Sequence, residues 1–235
     1  MYEAVTVYPE GTSTLSRIGV TAQEFGFDGI VVKNSTQVAT DVGATEVPGE
    51  ASIDFVRGAS IRVTDPSRDG GRIASLRPEV TVLCATPTDE QTARFIVGQS
   101  KVDVLGSPIG LDNRLPHSVV SEAAAKKVAI ELDFGAIVRS TGKPRRRAID
   151  RLTDCAMLIE QYNAPVVTTV GAQSHLELRG VREIRALATE IGITQELVDR
   201  GFETWGELAA KHRHSRDDTF IEPGVELVGD ETDCR

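Results

Sequence analysis

Seven short apolar runs, rich in β-branched residues and separated by longer segments of helical period, set the strongest limit on what this chain can fold into. They fall at residues 2–7, 29–32, 59–63, 80–84, 102–105, 128–132 and 165–169. Near-continuous apolar character suits strands covered on both faces, and strands that alternate with helices run parallel. Seven alternations over about 190 residues point to an α/β barrel of parallel strands rather than an open sheet. A doubly wound sheet shares the rhythm and is the second reading.

The helical segments carry their own start and stop signals. Thr88-Asp89-Glu90-Gln91 has the form of a capping box, and Ala93, Ile96 and Val97 follow on one face, which predicts a helix over 88–99. Residues 118–127 set Val119, Val120, Ala123 and Ala124 at helical spacing, with Lys126 and Lys127 at the end that favours cations. Pro144 fits the first turn of a longer helix whose buried stripe is Ala148, Leu152, Cys155, Ala156 and Ile159. Ser174-His175-Leu176-Glu177 reads as another capping box, opening a helix that ends near Gly192. The barrel is therefore assigned to residues 1–193, a C-terminal helical segment to 194–215 and a loose acidic tail to 216–235. Segments 41–50 and 65–71 are the best surface loops.

Length and composition describe an ordinary globular protein of 235 residues. No window approaches the roughly 18 apolar residues of a membrane span, and the N-terminus lacks a basic stretch ahead of an apolar one. The expectation is a cytoplasmic protein with no membrane partner. Cys84, Cys155 and Cys234 are far apart, with no C-x-x-C pair, so reduced thiols are expected. Of the four histidines, His117 and His175 stand alone and His212 and His214 lie in the terminal segment. The first strand carries Glu3 and Val5 where an H-x-H ligand pair has to sit, so no metal held by this chain is expected.

In a parallel barrel, functional groups project from the C-terminal ends of the strands. That rule places Lys33, Asn34, Arg62, Asp65, Ser107, Glu131, Asp133 and residues 168–174 near one rim. Glu131 and Asp133 are two residues apart and point the same way on a strand. They suit an acid/base pair or a cation site; the simpler reading is strand-end carboxylates satisfied by backbone donors or an arginine. The 171–174 turn suits either an anion or an ordinary cap. Gly106-Ser107-Pro108-Ile109-Gly110 is not a nucleophile elbow, and no phosphate loop or dinucleotide fingerprint is present. No catalytic residue is assigned.

A net charge of −9 argues against a polyanion as partner until its distribution is considered. Arg139, Lys143, Arg145, Arg146, Arg147 and Arg151 face only Asp150 within their stretch, whereas the tail holds seven carboxylates against Arg235. Such segregation lets an acidic protein carry a basic face. Three arginines after Pro144 also crowd a helix start that is already partly positive, a repulsion that a phosphate backbone relieves. The alternative is a solvated basic face. Arg179, Arg182 and Arg185 recur at intervals of three, partly offset by Glu177 and Glu183. Sparse aromatics offer no stacking platform, so any RNA contact is expected to read backbone and shape. With only six lysines among 26 basic residues, the acidic balance resembles proteins of halophilic archaea.

Several segments, in order, resemble the p30 family, component 3 of archaeal ribonuclease P. They are Gly29-Ile30-Val31-Val32, Gly58-Ala59-Ser60-Ile61-Arg62, Val102-Asp103-Val104-Leu105, Leu115-Pro116-His117-Ser118, Val128-Ala129-Ile130-Glu131-Leu132 and the run from Val166 through Arg179. The similarity spans residues 1–193. It implies a TIM-like barrel of about seven strands, related to the polymerase-and-histidinol-phosphatase fold but without its metal centre. It implies a place in the endoribonuclease that removes the 5′ leader of precursor tRNA, with Mg2+ held by the RNA component. The partners it implies are ribonuclease P RNA and protein component 2, with precursor tRNA met indirectly. The RNA contacts it implies are Arg62, His117, Lys127, Arg179 and Arg182; Arg145, Arg146 and Arg147 join them on charge.

Two other readings compete. A stand-alone barrel hydrolase or isomerase acting on a phosphorylated small molecule draws on Glu131, Asp133 and the 171–174 turn. A pure protein-interaction scaffold needs no RNA affinity at all.

Overall fold

The computed structural model describes residues 1–35, 53–108 and 114–215, together with the backbone of two short strands in the tail. The expected loop at 41–50 lies outside the described residues. Each of the seven apolar runs forms a strand: β1 (Tyr2–Val5), β2 (Gly29–Val32), β3 (Asp54–Val63), β4 (Val82–Pro87), β5 (Val104–Leu105), β6 (Ala129–Asp133) and β7 (Val166–Thr169). They make one sheet in the order of the sequence, and every pairing is parallel. Val5 bridges to Ala172 just beyond β7, and Thr6 N–H donates to the Ala172 carbonyl at 3.0 Å. The sheet thus curls into a nearly closed TIM-like barrel whose seam lies between β1 and β7. Gly11 sits in this closure so tightly that a Cβ there would lie 2.2 Å from the Thr6 carbonyl oxygen.

Helices α1 (Leu15–Glu24), α2 (Pro66–Leu76), α3 (Glu90–Val97), α4 (His117–Lys126), α5 (Gly135–Arg139), α6 (Gly142–Tyr162) and α7 (Val181–Glu190) surround the strands. The α6 stripe is the expected one: Ala148, Leu152, Cys155, Ala156 and Ile159 are buried. Residues 66–71, expected as part of a surface loop, instead open α2, with Asp65 as its cap. Two further helix starts differ from expectation. The α3 box is formed one residue later, by Asp89 and Thr92, because the Thr92 hydroxyl accepts from the Asp89 N–H at 3.0 Å while the Asp89 carboxylate accepts from Thr92 N–H at 2.8 Å. Ser174 to Glu177 forms a turn instead of a helix start. Glu177 accepts from the Gln173 N–H and Ser174 from the Leu176 N–H, a local pattern that satisfies these donors without a helix. The helix opens at Val181, where Glu183 accepts from the Gly180 N–H.

The barrel interior is filled by Ala4, Val31, Val56, Val82, Cys84, Val104, Ala129 and Val167, alternate residues from all seven strands. The sequence-terminal helix α8 (Gln195–His214) completes this core by inserting Trp205 and Ala209. Trp205 is fully buried and its indole N–H donates to the Thr168 carbonyl at 2.9 Å. Gly201 lets α8 lie directly on β7, since a Cβ there would fall 2.7 Å from the Thr168 nitrogen. The end of α8 is fastened to the N-terminal ends of the strands. Arg213 grips both oxygens of Asp54 at 2.7 and 2.9 Å, and His212 meets Asp103 at 2.6 Å.

Part of the tail that was expected to be loose pairs as antiparallel strands β8 (Phe220–Glu222) and β9 (Val225–Glu226). Among the described residues, no helix is long and apolar enough to cross a membrane.

Candidate functional site

At the C-terminal mouth of the barrel, the interior phase of each strand continues into polar residues. Lys33 lies two residues beyond Val31, and Glu131 and Asp133 two and four beyond Ala129, so all three point inward. Lys33 and Glu131 form an ion pair, 13% and 2% exposed. The second Glu131 oxygen accepts from the Ser107 N–H at 2.6 Å, and Asp133 accepts from the Gly135 N–H at 2.7 Å. These carboxylates are held by a lysine and backbone donors, so they are not a free acid/base pair. Arg139 approaches from the side, its guanidinium donating to the Val170 carbonyl at 2.9 Å.

Glu3, left out of the rim set on sequence grounds, belongs to this cluster. It is fully buried at the β1/β7 seam, where one oxygen accepts from the Thr169 hydroxyl and from the N–H groups of Val170 and Ala4. Its other oxygen has no hydrogen-bond partner among the described residues. Burial pushes the Glu3 carboxyl up to about 7 against those hydrogen bonds, and burial together with Glu131 raises Asp133 too. Burial works against the charge on Lys33, yet Glu131 outweighs it and holds the ammonium above the ordinary lysine range. A charged residue inside an otherwise apolar strand was the signal that could have found Glu3.

The folded state binds the Glu3 proton more tightly than the unfolded chain does. Its contribution to stability is therefore complete below the ordinary value of 4.5 and is lost as pH rises through about 7. Asp103, held below its ordinary value despite burial by His212 and Arg77, has the opposite sign and acts only on the acid side. Glu3→Gln is expected to flatten the decline in unfolding free energy between about pH 5 and 8. Urea titrations across that range would show it, and an unaltered slope would mean that Glu3 does not titrate there.

The remaining rim residues do other work. Asn34 is buried and exchanges hydrogen bonds with the Val7 backbone, Asp65 caps α2 by accepting from the Ser67 N–H, and Thr168 packs beneath α8. Among the described residues, no three His, Cys, Asp or Glu side chains are arranged to hold a metal ion.

The basic residues singled out in the sequence divide between the two ends of the barrel. Arg62, at the end of β3, and Arg145, Arg146 and Arg147, at the start of α6, are exposed on the C-terminal side. Lys127 caps the far end of α4 in a left-handed conformation, φ 58°, on the N-terminal side. His117 starts α4 and contacts the Tyr162 hydroxyl at 3.2 Å, near the end of α6. Arg179 is half-buried and donates to the carbonyls of Leu176 and Leu178, while Arg182 is exposed beside Met1 and Gly26. The one-faced series of Arg179, Arg182 and Arg185 does not form, because Arg179 precedes α7 and Arg185 is paired with Asp199 at 2.6 Å. Glu177 lies 3.6 Å from Arg139 instead.

A parallel barrel with its mouth filled by its own ion pair, and with exposed cations displaced to helix starts and strand ends, defines a TIM-like scaffold that carries local basic patches on an acidic chain. The family profile for RNase P subunit p30 matches residues 1–217, and the chain belongs to that family. Ribonuclease P protein component 3 of Haloarcula marismortui is 36% identical over 234 residues, covering 100% of both chains. The protein of the same description from Halobacterium salinarum is 36% identical over 225 residues, covering 96% of each. A chain in the cryo-EM structure of archaeal ribonuclease P with mature tRNA shares the fold, with TM-score 0.83 at 16% identity over 99% of this chain and 100% of the other.

Proposed function

We propose that this chain is a protein subunit of ribonuclease P that assists removal of the 5′ leader from precursor tRNA by binding and stabilising the catalytic RNA. The observation that carries this reading is the family match over the whole barrel, together with curated relatives that align end to end. The barrel mouth fits it: Lys33 stands against Glu131 where a metal-dependent hydrolase needs convergent ligands, so the donor set does not suit a metal centre. Mg2+ belongs to the RNA component. Arg62, Arg145, Arg146 and Arg147 form the principal RNA-facing group, and His117, Lys127, Arg179 and Arg182 make secondary contacts on other parts of the surface.

Protein component 2 is the partner we assign. The exposed ring of Phe25, lining a groove of about 570 Å³ between the end of α1 and the start of α7, supports a protein contact on that flank.

The test is reconstitution. The purified chain alone is expected to cleave nothing, and to raise precursor-tRNA cleavage when mixed with ribonuclease P RNA and component 2. Cleavage by the chain alone, or no gain on mixing, rejects the reading. Replacing Arg145, Arg146 and Arg147 together with Ala is expected to weaken RNA affinity and reduce its log–log salt slope by about three, one per lost phosphate contact. An unchanged slope removes that patch from the interface.

A further inference from the structure

Residues 141–147 are exposed at every position, and Ala148 is the first buried residue of α6. In a helix resting on a core, burial returns every third or fourth residue. The unbroken exposed run therefore means that the first turns of α6 project past the body of the barrel. At about 100° per residue, Arg145 falls in phase with the buried Leu152, Ala156 and Ile159. It lies on the side of the helix that faces the barrel, but beyond the point where the core ends. Lys143 and Arg147 lie on the opposite side, and Arg146 lies on the flank between that side and the Arg145 side. Among the described residues, none of these four cations has an ion-pair partner.

Cations on opposed sides of one projecting helix end meet a single strand or a flat surface together only by folding their stems round a helix about 10–12 Å across, whereas phosphates on two sides meet them extended. We infer that the start of α6 is seated between two phosphate-bearing strands of folded RNA. The strand on the barrel side meets Arg145 and the strand on the outer side meets Lys143 and Arg147. The RNA element is therefore a duplex groove or the cleft between two packed RNA helices. The inference rests on the subunit reading above and specifies the kind of RNA element that this site takes. Phosphates on both sides also relieve the mutual repulsion of four cations gathered at the positive end of a helix.

The test measures affinity of the full chain for ribonuclease P RNA, and for single-stranded oligouridine, over a salt series. Two variants are compared with wild type: Arg145→Ala, and Lys143→Ala combined with Arg147→Ala. All three positions are exposed, and circular dichroism checks that the helix persists. With ribonuclease P RNA, the first variant is expected to lower the salt slope by about one and the second by about two. With oligouridine the two losses are not both seen, because one strand reaches one side. A wild-type slope for Arg145→Ala beside a reduced slope for the double variant would overturn the two-sided seat while leaving RNA binding intact. Loss of component 2 binding in place of RNA affinity would assign the helix to a protein and overturn it as well. Absence of salt-dependent RNA binding by the wild-type chain would instead bring down the subunit reading itself.

Discussion

Lys33→Met is expected to lower the unfolding free energy by about 3–5 kcal/mol, the range for removing one partner of a buried ion pair. Met keeps the length of the aliphatic stem, so the loss reports charge more than packing. Glu131, 2% exposed, would then share the barrel mouth with Glu3 and Asp133 without the cation that faces it. Ser107 N–H alone would remain on one of its oxygens. Charged carboxylates in that setting are costly, and protonation is their way out, so the defect is expected to shrink as pH falls. Urea denaturation at acid and alkaline pH tests both statements. A Lys33→Met, Glu131→Leu double variant supplies the control, because replacing both partners with apolar groups removes the stranded charge and is expected to recover most of the loss. If the single and double variants were equally unstable, packing of the lysine stem and not its charge would be what the mouth requires.

That ion pair also marks where sequence reading stops. The strands were legible because burial on both faces leaves unbroken apolar runs, and the α6 stripe because its period is helical. Lys33 and Glu131 are 98 residues apart, and their phase relative to Val31 and Ala129 says only that both point into a barrel. Which inward charges meet depends on the order of β2 and β6 around it. Glu3 was harder still, since strand alternation puts it out of phase with Ala4 and it reaches the cluster only because the β1/β7 seam is open at its level. At 174–177 a capping-box pattern was present but no helix followed; the same side chains closed a turn, a competition decided by the neighbouring loop rather than by the four residues. The basic run that opens α6 was plain in the sequence. Its projection beyond the core was not, because it depends on where the barrel body ends.

The role of α8 was the least visible, and it carries the other large expected effect. Its apolar stripe, Leu197, Val198, Phe202, Trp205 and Ala209, identifies an amphipathic helix without identifying what it covers. In the fold it covers the stretch of seam where β1 and β7 do not pair, and Trp205 supplies the large side chain that an interior lined by valines and alanines lacks. Trp205→Ala is expected to cost about 3–5 kcal/mol through the cavity left behind. It also leaves the Thr168 carbonyl without its indole donor. Trp205→Phe, which keeps a ring but loses that hydrogen bond, should cost less. Hydrogen exchange at β7 and α8 is expected to quicken together in the alanine variant, because the two elements share one packed interior. Were α8 a separate appendage, its amides alone would open and the main unfolding transition would stay where it is. A joint shift instead makes the last helix part of the barrel, fastened at its end by Arg213 to Asp54 and by His212 to Asp103. Truncation before Gln195 would then expose the interior of the seam and is expected to destabilise the whole barrel.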